Sequence, residues 1–191
     1  MVITMINQAI AKLRETPSQT KLNHSTGISA FLTILIYTMM QPVETMLKGV
    51  SPYGVIELEF AWTAGKVSTI FDAWGSALIS QELLVTFIDY GFLIAYSSLF
   101  ACITLQISRK LLSGRIQLIG FCLAIIPFIA AFFDAIENIH LILMLSSPSS
   151  FSSFSPFFAS LFALSKFSLL IVVIMFWVLS GGWFVISQRN N

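Results

Sequence analysis

The sequence predicts an all-α membrane protein, a four-transmembrane-helix bundle with a small strand-plus-helix outer loop. Three observations carry that prediction. Of 191 residues, 57% are hydrophobic and only 10% charged, and mean hydropathy is +0.87, where soluble domains carry about 25% charged residues. The apolar residues are concentrated in four runs near the ~20 residues that a helix needs to cross a bilayer. Those runs are far too long for barrel strands, and a lipid-embedded backbone must satisfy its own hydrogen bonds as helix or closed barrel.

The N-terminal segment, residues 1–24, is polar but patterned. Ile3, Ile6, Ile10 and Leu13 recur at helical spacing, the pattern of a short interfacial helix, and Thr16-Pro17-Ser18 ends it. The apolar run begins only near Gly27, with no clear small-x-small site after it, so the segment reads as a signal anchor rather than a cleaved signal. Residues 25–191 then form one membrane domain, with spans over about 27–43, 83–105, 116–140 and 163–186. The third and fourth apolar runs extend beyond these limits, and Pro127 predicts a kink in the third helix.

Lys12, Arg14 and Lys21 precede the first span, Arg109, Lys110 and Arg115 fill the second connection, and Arg189 follows the fourth. The positive-inside rule therefore places both termini in the cytoplasm, with the 45–82 loop and the Ser-rich 146–155 loop outside. In the 45–82 loop, Ile56, Leu58, Phe60 and Trp62 alternate with Glu57, Glu59 and Ala61, which predicts a half-buried strand. Thr63 can then cap a helix in which Val67, Ile70, Phe71 and Trp74 share a face, before Gly75 ends it.

Ionisable residues inside apolar runs are costly and point to a site. Asp89, Asp134, Glu137 and Lys166 are such residues. Counting from the cytoplasmic ends at 1.5 Å per residue places Asp89, Asp134 and Lys166 roughly 24, 27 and 30 Å up. They form one polar layer near the outer surface. Asp134, Glu137 and Asn138 lie on one face of the third helix, and Glu82, Thr86, Asp89, Tyr96, Ser97 and Thr104 form a polar stripe on the second. The candidate ligand-binding residues are thus Asp89, Asp134, Glu137, Asn138, Lys166 and Tyr96, with Lys166 as counter-ion. Three acids exceed one lysine, so either some carboxyls carry a proton or a cationic ligand completes the site. His140 could add a second positive charge. The bland alternative is that Asp134, Glu137 and His140 mark where the helix leaves the membrane while Lys166 snorkels.

Other chemistry finds little support. The only histidines, His24 and His140, fall on opposite sides, so no metal is assigned and the cofactor stays unknown. Cys102 and Cys122 lack redox or metal spacing. Net charge is +1 with no basic run, which argues against nucleic acid as a partner. Phosphate-loop, nucleophile-elbow and zinc-protease motifs are absent.

Tyr53 to Ala61, Asp72-Ala73-Trp74, Asp89-Tyr90, Phe133 to Asn138 and Leu164 to Phe167 together resemble a family of small uncharacterised bacterial four-helix integral membrane proteins, over about residues 27–186. The resemblance implies that the loop and the polar layer belong together and carries no activity; the expected location is a bacterial inner membrane. Three functions stay open: binding a small cation, amine or lipid headgroup; acid/base catalysis on a lipid-like substrate; and assembly with a partner membrane protein.

Overall fold

The computed structural model describes residues 12–110 and 114–189. The face expected on Ile3, Ile6 and Ile10 lies outside the described residues. Its last member, Leu13, packs against Leu22, Leu105 and Phe121. Six helices follow in order: α1 (Gln19–Val50), α2 (Val55–Glu59), α3 (Ala64–Lys110), α4 (Gly114–Leu123), α5 (Ile126–Ser146) and α6 (Ser155–Arg189). Four stretches are long and apolar enough to cross a membrane: Gln19–Val50, Ala64–Lys110, Gly114–Ser146 and Ser155–Gly182.

The strand expected over Ile56–Trp62 is overturned, since no strand occurs among the described residues and α2 takes its place. The physical reason lies in two carboxylates. The Gly54 N–H donates to Glu57 Oε2 at 2.7 Å and the Val55 N–H donates to Glu44 Oε2 at 2.9 Å. They satisfy amides that a helix start leaves unbonded. The alternation also fails as a buried face: Leu58 is buried, whereas Ile56 and Trp62 are exposed.

The helix expected after Thr63 is present as the start of α3. Thr63 Oγ1 accepts from the Lys66 N–H at 3.3 Å, and Val67, Ile70, Phe71 and Trp74 are buried together with Leu47, Leu58 and Met144. Trp74 Nε1 donates to the Tyr53 carbonyl at 2.9 Å. Gly75, at φ 74 and ψ 165, then redirects the chain within α3. A left-handed φ favours glycine because a Cβ there crowds the backbone.

Beyond Gly75, α3 is the central helix and packs against α1, α4 and α5. Its polar stripe turns inward. Glu82, Thr86, Tyr96, Ser97 and Thr104 are buried, while Leu84, Phe87 and Ile94 on other faces are exposed. The expected kink at Pro127 is a full break: helix stops after Leu123 and resumes at Ile126, with proline in the first turn of α5. Proline lacks the N–H that would continue α4, and it costs no bond at a helix start.

Helix α6 packs chiefly on α5, with Ala130, Ala159 and Ala163 fully buried. Small residues let helix backbones approach closely. Gly120 of α4 serves the same end, since a Cβ there would collide with Ser108 Oγ and Phe176. Helix α1 packs on α3 and makes few contacts with α6, and its buried residues are Leu22, Ser29 and Leu47.

Candidate functional site

The polar layer forms at the end of the bundle that α2 closes. Helix α2 is held there by the Glu44 carboxylate, itself 2.7 Å from Lys48 Nζ. Two further contacts fix the chain just after it. Phe60 stacks on Phe167 at 5.8 Å between ring centres, and the Trp62 N–H donates to Ser160 Oγ at 2.9 Å. This anchoring brings Glu59 to a lysine 107 positions away in the chain.

Lys166 Nζ lies 2.8 Å from Asp134 Oδ1, 2.8 Å from Glu137 Oε2 and 3.4 Å from Glu59 Oε1. Asp134 accepts a second hydrogen bond from the Tyr96 hydroxyl at 2.9 Å. All five of these side chains are buried. The Glu137 contact is a close ion pair without hydrogen-bonding geometry, so both of its oxygens lack a donor, as does Glu59 Oε2. Three carboxyls surround one ammonium, and two protons are needed to make the group neutral. Burial pushes the Glu59 carboxyl above its usual range; Lys166 pulls it back, and Asp134 adds to the rise.

Asp89 sits beside this group rather than in it. Its Oδ2 accepts from Asn138 Nδ2 at 2.7 Å, tying α3 to α5. The neighbouring Tyr90 hydroxyl donates to the Ala135 carbonyl at 3.1 Å. His140 joins neither pair: it stacks between Phe158 and Phe162, 5.4 and 6.4 Å away between ring centres. The structure therefore unites Asp134, Glu137, Lys166 and Tyr96, places Asp89 with Asn138 alongside, and leaves His140 out.

A cavity of about 570 Å³ opens beside the cluster. Helices α1, α2, α3 and α6 line it, together with Asp134 of α5. Helices α1 and α6 make few contacts with each other. Asp89, Tyr96, Asp134 and Lys166 all border it; Glu137 and Asn138 do not. Glu82 and Glu59 border it too. Glu82 is 2% exposed, and its carboxyl has no hydrogen-bond or ion-pair partner among the described residues.

Two residues of the site lie outside the set of candidate ligand-binding residues that the sequence offers. Glu59 was assigned to the polar side of a strand, and only the fold aims it at Lys166. Glu82 had a signal: it lies two helical turns before Asp89 on the same stripe, a spacing that shares one face. Among the described residues no group of three or more His, Cys, Asp or Glu is disposed to hold a metal ion. No known protein family, curated protein or solved structure matches this chain.

Proposed function

We propose that this chain is a multi-pass protein of a bacterial inner membrane, with both termini cytoplasmic, that binds a cationic group in a cleft of the outer leaflet. The orientation rests on the seven positive residues at the end opposite α2. The class of ligand is an amine, a small cation or a lipid headgroup. The observation that carries this reading is Glu82, a buried carboxyl that borders a cavity and has no partner among the described residues. An uncompensated carboxyl at membrane depth is costly, and a cation in the cleft would relieve that cost.

The acceptors in this reading are Glu82 and Asp89. Asp134, Glu137 and Tyr96 serve to hold Lys166, and Lys166 sets the positive boundary of the cleft. This division favours binding over acid/base catalysis, because Glu137 is turned to the ammonium and away from the cavity.

The test is thermal stability of the purified protein in neutral detergent, titrated with ethanolamine and with mono- and divalent cations. A ligand at about 100 times its Kd stabilises by about 2.7 kcal/mol. Wild type should gain stability with at least one of these ligands, and Glu82→Gln and Asp89→Asn should gain none. A wild type indifferent to every amine and cation would sink the proposal.

A further inference from the structure

The cleft is longer than an ammonium group requires. Along α1 it is lined from Thr33 to Lys48, roughly 22 Å at the helical rise, and along α3 from Glu82 to Phe100, roughly 27 Å. Its two ends differ in chemistry. Glu59, Glu82 and Asp89 gather toward the end under α2, whereas Phe92, Phe100 and Leu170 line the other. The two long helices that border it, α1 and α6, make few contacts with each other. A soluble ion does not need the greasy half.

We infer that the ligand is an amphiphile with a primary ammonium headgroup, which lays one acyl chain along the apolar half. This rests on the cation-binding reading and adds the chain to it. The head is held by Glu82 and Asp89, whose carboxylates accept from the ammonium's three donors. Phe92, Phe100 and Leu170 contact the chain. The volume of about 570 Å³ lies within the range of sites that enclose one small molecule. An anionic headgroup with the same chain is disfavoured beside Glu82, because it would meet a carboxyl with no partner among the described residues.

The experiment compares three probes on the full chain in maltoside micelles: palmitoyl lysophosphatidylethanolamine, palmitoyl lysophosphatidylglycerol and free ethanolamine. Affinity is read by native mass spectrometry and by thermal shift. The ethanolamine lipid should bind at least tenfold more tightly than either other probe. Glu82→Gln and Asp89→Asn should each weaken it about tenfold. Leu170→Trp, which fills the apolar half, should weaken the lipid about tenfold and leave ethanolamine unchanged. Ile94→Trp, on an exposed face of α3, controls for a bulky insertion and should match wild type.

Equal binding of the two lysolipids would overturn the inference, as would equal binding of ethanolamine and its lipid. So would a Leu170→Trp variant that binds the lipid like wild type. In each of these cases, loss of ethanolamine binding in Glu82→Gln would still leave the cation-binding reading standing. Failure of both amine probes on wild type would overturn the inference, and indifference to every cation as well would overturn the cation-binding reading with it.

Discussion

Lys166 of α6 and Asp134 of α5 are joined at 2.8 Å, both buried, and the same carboxylate also accepts from the Tyr96 hydroxyl of α3. One Asp134 side chain therefore ties three helices. A buried ion pair of this kind adds little net stability over apolar packing, but losing one partner strands the other.

Lys166→Met should accordingly destabilise strongly, by about 3–5 kcal/mol, because three carboxyls lose their ammonium. Adding Asp134→Asn to that variant should recover part of the loss. Chemical denaturation in mixed micelles, analysed as a double-mutant cycle, measures both effects. Strict additivity of the two substitutions would contradict the pairing.

Tyr96→Phe removes one donor from Asp134 and leaves a buried oxygen under-satisfied. A loss of about 1–3 kcal/mol is expected. The same unfolding measurement checks it, and Tyr37→Phe, at an exposed position on α1, should be close to neutral.

Glu59 predicts a pH dependence. Its carboxyl is raised in the folded protein above the ordinary value of 4.5, so between the two values the folded state holds a proton that the unfolded chain has released. Stability from this group is complete below the unfolded value and is lost as pH rises through the folded one. As pH rises above the unfolded value, wild type should lose thermal stability more steeply than Glu59→Gln. Parallel profiles for the two proteins would refute this.

Gly75→Ala tests the bend between the two parts of α3. At φ 74 an alanine is strained by about 1–2 kcal/mol. The variant should be less stable by that amount, and deuterium exchange should rise first around Val67–Trp74. Unchanged exchange in that segment would show that the bend is not held by this residue.

Much of the architecture is readable from the chain because it depends on local periodicity. The polar stripe on α3 turns inward as its 3.6-residue spacing requires. Val67, Ile70, Phe71 and Trp74 bury one face as their spacing predicts. The Lys166–Asp134 contact joins an acid and a base that counting along their helices places at similar heights. The misreading of Ile56–Trp62 has an equally local cause. A short alternating segment carries a strand's signal, and nothing nearby in sequence reveals that Glu44 will cap it from another helix.

The sequence by itself thus determined four helices apolar enough to cross a membrane and the helix faces on which their polar residues lie. Only the tertiary structure decided which carboxyls share the ammonium, that Glu59 is among them and His140 is not, and that Glu82 is left facing a cleft. Helical phase and depth are properties of a segment of chain. Lateral pairing depends on how helices sit around one another, and the cleft that α1, α2, α3 and α6 line together is written in no single segment.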